Sequence, residues 1–237
     1  MTSAAEFPEA FEEYPDIQVC CHLAERSTTF ENIYGPAGRR QFVRGVAGPL
    51  GSAQVPADWR QSDIVHLGPL VQEVDPALVD AFPGALVGVT PQGWLRTWGA
   101  DGFVSVTPWK GAEHVLARAD VVVLSMEDLG GDVDQFERLR RLARLLVLTD
   151  GRHGALVYQG ERVARVPAYD VEEKDPTGAG DVFAAAYLLR LYETRDPIEA
   201  ARYGNCVASF LVEAHGATQV PNREQVEQRL RTGRLRG

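Results

Sequence analysis

Asp175-Pro176-Thr177-Gly178-Ala179-Gly180-Asp181, followed directly by Val182-Phe183-Ala184-Ala185-Ala186, is the stretch on which the reading of this chain turns. Pro176 and the two glycines keep the first half out of regular structure, and the apolar run behind them has helical spacing. Successive backbone N–H groups at Gly178, Ala179, Gly180 and Asp181 therefore converge where a helix of about Gly178 to Tyr192 begins. Such a start offers unpaired donors and the positive end of a helix dipole, which suits an anion whose charge shifts during transfer. Asp181 falls in the first turn of that helix, where a carboxylate is placed to take a proton from an attacking hydroxyl.

Working outward, Pro197 to Val212 reads as a second helix with Asp196 as its cap and Pro197 at its first position, and Asn222 to Leu230 as a third. Upstream, short apolar runs alternate with helical segments. The runs are Ile64 to Leu67, Ala85 to Val89, Val121 to Leu124 and Leu145 to Leu148. Between them come a helix opened by Asp75 and Pro76, one near Gly111 to Arg118, and one near Val133 to Ala143. That alternation predicts a mostly parallel sheet covered on both faces. Ala155 to Tyr158 and Arg162 to Val166 flank Gln159-Gly160 and read as an edge hairpin. Residues 17 to 48 differ: Ile17 to Leu23, Thr28 to Tyr34 and Arg40 to Val46 read as short strands, the last two joined by Gly35-Pro36-Ala37-Gly38. The expected division is a small β segment at 1–48 and an α/β core at 49–237.

The 237-residue chain carries 24 basic and 33 acidic residues, a formal charge of −9, which argues against nucleic acid as a partner. Neither lysine, Lys110 or Lys174, stands in a G-x-x-x-x-G-K-[ST] frame, so a P-loop is excluded, and no G-x-G-x-x-G follows the first strand of the core. Cys20, Cys21 and Cys206 form no metal or disulfide pattern, and the two adjacent ones are expected on opposite faces of a strand. The acidic, proline-containing start does not read as a signal peptide, and no apolar run is long enough for a membrane span. A cytoplasmic protein with no membrane partner is the expectation. His66, inside an apolar run, reads as a packed strand residue, and Arg229 to Arg236 as a solvated basic end.

The Asp175–Asp181 string resembles the C-terminal signature of the PfkB carbohydrate kinases, the ribokinase-like family that phosphorylates sugars, polyols and nucleosides. Thr149-Asp150-Gly151-Arg152-His153-Gly154-Ala155 is similar to that family's T-x-G-x-x-G nucleotide turn. Ala201 to Gly216, with Asn205, resembles the helix beside its adenine pocket. Thr28 to Tyr34 with Arg39-Arg40-Gln41 looks like the β lid of an inositol-kinase-like branch. The resemblance implies a ribokinase-like three-layer α/β sandwich with a mostly parallel central sheet and a small β lid. It implies ATP as phosphoryl donor, Mg²⁺ as cofactor, and a small sugar, inositol or nucleoside as acceptor.

Carried over residue by residue, Asp181 matches the catalytic base, with Gly178, Ala179 and Gly180 as the anion hole. Thr149, Gly151, Gly154, Thr177 and Asn205 match donor-binding positions. Ser125 and Asp128 fall where the family's N-x-x-E motif orients magnesium, in shortened form, and Arg96 resembles a phosphate-neutralising cation. The chain departs from the family at its start. The strands and Gly-Gly loop that hold the acceptor are not found before residue 17, and the first Gly-Gly pair is Gly130-Gly131. The resemblance is thus to a family member shortened at its N-terminus. Repacking, association with another chain as a homo-oligomer, and a start upstream of Met1 all remain open. The competing function is a non-catalytic nucleotide-binding or scaffold descendant that has lost its acceptor site.

Overall fold

The computed structural model describes residues 2–3, 14–35, 38–215 and 219–237. In chain order the strands are β1 (Thr2–Ser3), β2 (His22–Leu23), β3 (Thr29–Gly35), β4 (Gly38–Gly45), β5 (Ile64–Leu67), β6 (Leu86–Val89), β7 (Arg96–Trp98), β8 (Val104–Val106), β9 (Val121–Ser125), β10 (Leu146–Thr149), β11 (Ala155–Gln159) and β12 (Arg162–Val166). The helices are α1 (Ala112–Arg118), α2 (Val133–Leu142), α3 (Ala179–Thr194), α4 (Pro197–Val212) and α5 (Arg223–Thr232). Pro36, Ala37 and Gly216, which the sequence placed in the lid turn and beyond α4, lie outside the described residues.

Six strands form one sheet in the order β12-β11-β10-β9-β6-β5, parallel from β10 through β5 and antiparallel at the β11–β12 hairpin. The period of two along each strand divides the core into two layers. Val122 and Leu124 of β9, with Leu146 and Leu148 of β10, join a cluster on one face with Val115, Leu116 and Leu139 from α1 and α2. Val121, Val123 and Val147 turn to the other face, onto Phe183, Tyr187 and Leu188 of α3 and Ala200 and Ala201 of α4. The architecture is therefore a three-layer α/β sandwich. Glycines set the closest approaches: a Cβ on Gly88 of β6 would come within 2.4 Å of Leu188, and one on Gly204 within 2.9 Å of the Phe183 ring.

Caps agree with the sequence. Asp196 accepts from the N–H groups of Ile198 and Glu199, Asp132 from Gln135, and Asn222 exchanges a capping box with Gln225. The helix expected after Asp75 is instead a short 3₁₀ turn, Pro76–Ala81. Asp75 does cap it, but Pro83 follows too soon for an α-helix to lengthen. The strand expected over Ile17 to Leu23 shrinks to His22–Leu23, paired in parallel with Thr2–Ser3. Cys20 and Cys21 are therefore not on a strand, and each is half-buried. The lid hairpin is as expected: β3 and β4 pair antiparallel from Thr29↔Gly45 to Gly35↔Gly38. Phe42 of β4 is buried and bridges to Phe103, which ties the hairpin to the core beside β8. β5 forms one edge of the sheet, and among the described residues no strand pairs with its outer side.

The turn after β10 tests the fold. Gly154 has φ +92°, and a Cβ there would sit 2.1 Å from the Val166 carbonyl oxygen, whereas Gly151, at φ +47°, faces open space. Gly154→Ala is expected to cost about 3 kcal/mol or more, and Gly151→Ala only about 1 kcal/mol. Chemical denaturation of both variants measures this. Equal costs would mean the turn is not held against Val166.

Candidate active site

The cleft opens at the carboxyl ends of the parallel strands, where Gly68 follows β5, Thr90 follows β6, and Ser125 and Thr149 end β9 and β10. Open α/β sheets place ligands there because the strand ends splay apart and helix N-termini point in. The space is about 650 Å³, lined on one side by lid residues Phe30, Asn32 and Gln41 and on the other by Asn205, Ala208 and Val212 of α4.

The floor is the start of α3. Gly178 adopts the left-handed conformation, φ +81° and ψ −4°, as the residue before the helix. A left-handed residue reverses the chain sharply, so the helix begins at Ala179 with its first turn facing the cleft. Ala179 N–H donates to the Pro176 carbonyl at 3.1 Å, and Thr177 N–H to the Asp175 carboxylate at 3.0 Å. No side chain among the described residues caps the start of this helix, so the N–H groups of its first turn face the cleft without a capping acceptor. Asp181 is exposed in the cleft. Opposite lies His66 of β5, whose Nε2 is 3.0 Å from the Thr90 hydroxyl. It is exposed and meets the cleft-lining Thr90, rather than being the packed strand residue the sequence suggested. Protein atoms crowding the ring lower its pKa, and the Asp181 carboxylate opposes that shift.

The turn bearing Thr149, Gly151 and Gly154 borders the same cleft, with the Thr149 hydroxyl 3.3 Å from the Leu124 carbonyl oxygen. Thr177 is there too. Asn205 is buried and donates both amide hydrogens, to the carbonyls of Val166 and Pro167 at 3.0 and 3.1 Å. It thereby fastens α4 to the loop after β12 and retains only its side-chain oxygen for a ligand. Ser125 and Asp128 meet as the sequence spacing implied: Asp128 Oδ2 accepts from the Ser125 N–H at 2.8 Å and from its hydroxyl at 2.9 Å. Oδ1 accepts from Gln92 at 3.0 Å, a partner sequence reading missed. Among the described residues no cluster of three or more His, Cys, Asp or Glu is placed to hold a metal by itself. An oriented carboxylate beside a hydroxyl fits magnesium, which keeps most of its shell as water and phosphate oxygens.

Arg96, on β7, lies at the lid end. Its guanidinium donates to the Leu70 carbonyl at 3.0 Å and lies 5.1 Å from the centre of the Phe30 ring. Beside it Gln41 donates to Asn32 at 3.0 Å, a cross-strand amide pair facing the cleft. Strand periodicity was the available signal for this pair, since Phe30 and Asn32 are two residues apart on β3.

The basic end is not simply solvated. Arg229 stacks on Phe210, its guanidinium carbon 3.4 Å from the ring centre, and pairs with Glu213 at 2.7 Å. Arg236 lines the cleft. Cys206 is buried in α4, and burial pushes its thiol up to about 11, which makes it a packing residue rather than a nucleophile. No helix among the described residues is long and apolar enough to cross a membrane.

Residues 120–224 match the model of the pfkB family carbohydrate kinases. The chain is 38% identical over 86 residues to a ribokinase of Bacillus subtilis, and 32% identical over 135 residues to an inositol 3-kinase of Arabidopsis thaliana. Those alignments take in 36% and 55% of this chain but span only 29% and 37% of the two relatives. Among solved structures, a pyrophosphate-dependent kinase of the ribokinase family superimposes with a TM-score of 0.77 at 20% identity, covering 95% of this chain and 83% of that one. A ribokinase from Thermotoga maritima gives 0.74 at 20% identity, covering 98% and 80%. The chain has the ribokinase-like fold, and its segment 120–224, which includes Gly178 to Asp181, is similar to the pfkB family carbohydrate kinases.

Proposed function

We propose that this protein is a small-molecule kinase that transfers the γ-phosphoryl group of ATP to a hydroxyl of a sugar, inositol or nucleoside. The observation that carries the reading is the left-handed start of α3 at Gly178, which sets backbone N–H groups and the Asp181 carboxylate side by side on one cleft. An anion hole and a proton acceptor at one helix start are what in-line phosphoryl transfer asks of a protein. The acceptor oxygen attacks the terminal phosphorus, its proton passes to Asp181, and the bond to the bridging oxygen breaks to release the nucleoside diphosphate. The N–H groups at Gly178 to Asp181 hold the charge on the phosphoryl oxygens as it redistributes.

Magnesium, when bound, neutralises phosphate charge; Ser125 and Asp128 would hold it, through water. The Gln92 and Ser125 hydrogen bonds fix the Asp128 carboxylate in place beforehand. At the lid end, Asn32, Gln41 and Arg96 supply neutral and cationic hydrogen-bonding groups suited to a polyhydroxylated acceptor. ATP is favoured over pyrophosphate because the cleft continues past the anion hole to a wall of Ala168, Val171, Ala208 and Val212, apolar surface that a diphosphate alone would leave empty.

Two outcomes test the reading. In a screen of sugars, inositols and nucleosides with ATP, Asp181→Asn is expected to lower turnover about a thousandfold while ATP affinity stays within about threefold, since only the proton acceptor is lost. Turnover retained in the variant would remove Asp181 from this role. ATP binding without transfer to any acceptor would favour the non-catalytic descendant. Asp128→Ala is expected to raise the magnesium concentration giving half-maximal rate by about tenfold. An unchanged requirement would place the ion elsewhere.

A further inference from the structure

Arg236 lines the cleft and has no part in the mechanism above. The segment Arg234 to Arg236 runs antiparallel to residues 168–170: Asp170 N–H donates to the Arg234 carbonyl at 2.8 Å and Arg236 N–H to the Ala168 carbonyl at 2.9 Å. Leu235 bridges to Tyr169. Gly233 makes this pass possible, because a Cβ there would come within 2.7 Å of the Tyr169 ring. The pairing has a consequence for one side chain. It carries the Arg236 guanidinium onto the cleft wall, where its Nη2 donates to the Val171 carbonyl at 2.7 Å. Its Nε is buried and has only the Asp170 carboxylate, 3.5 Å away, beyond good hydrogen-bond geometry. Arg234, by contrast, projects away: its side chain is 86% exposed, against 30% for Arg236.

The charge of Arg236 is offset by Asp170, 3.5 Å away, and Glu173 also lines the cleft beside it. The neighbouring surface is apolar, from Val171, Ala208 and Val212. A fixed donor fork beside apolar surface suits a neutral planar ring with acceptor atoms on its edge, such as N7 of a purine. We propose that Arg236 is a donor-specificity residue, donating from the cleft wall to the acceptor edge of the donor's purine base. The inference rests on the kinase reading above and adds to it a residue that selects a nucleotide over pyrophosphate.

The test is direct binding, which needs no acceptor and no turnover. The full chain is titrated with N-methylanthraniloyl-ADP, with ATP and pyrophosphate as competitors, beside Arg236→Met, Arg236→Lys and Arg234→Ala. Arg236→Met is expected to weaken nucleotide binding about tenfold, with pyrophosphate competition against the remaining bound probe unchanged. Arg236→Lys, which keeps charge without the fork, should weaken it about fivefold and decides the matter if the methionine variant does not fold. Arg234→Ala should bind as the parent does. Equal nucleotide affinity in parent and Arg236 variants would overturn the assignment and leave the kinase reading intact. So would an equal loss in Arg234→Ala, which would make the segment merely structural. A parent that ignores nucleotide yet binds pyrophosphate would overturn it as well, whereas a parent that binds neither donor would overturn the kinase reading itself.

Discussion

The left-handed backbone at Gly178 is the constraint on which the cleft depends. With φ at +81° the chain turns abruptly from the Asp175–Thr177 segment into α3, so the unpaired N–H groups of the helix face inward at its first turn. α3 cannot shift to compensate. It is seated on the sheet through Leu188 over Gly88, and against α4 through Phe183 beside Gly204, contacts that a single added methyl group would block. The position of Asp181 is thus set from two directions, by the turn before it and by the packing behind it. Function at this site is a consequence of how closely three elements approach one another.

The same logic places the rest of the wall. Gly154 passes so close to Val166 that the turn after β10 and the end of β12 are held together. Asn205 then fastens the loop beyond β12 to α4 with both of its amide hydrogens. Residues far apart in sequence, at 149–154, 166–171, 205–212 and 236, come to share one surface through a few close contacts. The lid end is joined by Phe42 against Phe103, Arg96 against Phe30, the Val43 N–H on the Gly102 carbonyl and the Arg44 guanidinium on the Asp101 carbonyl.

Much of this was legible in the sequence where local chemistry decides structure. The β6–α1–β9–α2–β10 alternation, the Asp196 and Asn222 caps, the lid hairpin and the Asp175–Asp181 turn depend on residues near one another in the chain. The readings that needed correction depended on remote partners. Ile17 to Leu23 has strand-forming residues but finds a pairing partner only at His22–Leu23. His66 sits in an apolar run, yet on the edge strand β5 its side chain stays exposed and meets Thr90. Arg236 belongs to a run of arginines that composition alone assigns to solvent, and only its pairing with Ala168 brings it inward. Asn205 lines the cleft, and its hydrogen bonds to the carbonyls of Val166 and Pro167 depend on partners remote in sequence.

The central claim is that the start of α3 receives the phosphoryl group. Backbone amide shifts measured on the isotope-labelled chain during titration with a non-hydrolysable ATP analogue and magnesium test it most directly. The account predicts the largest changes at Gly180 and Asp181, with a second group at Gly151 and Gly154. Saturable binding that leaves Gly180 and Asp181 unmoved would contradict it.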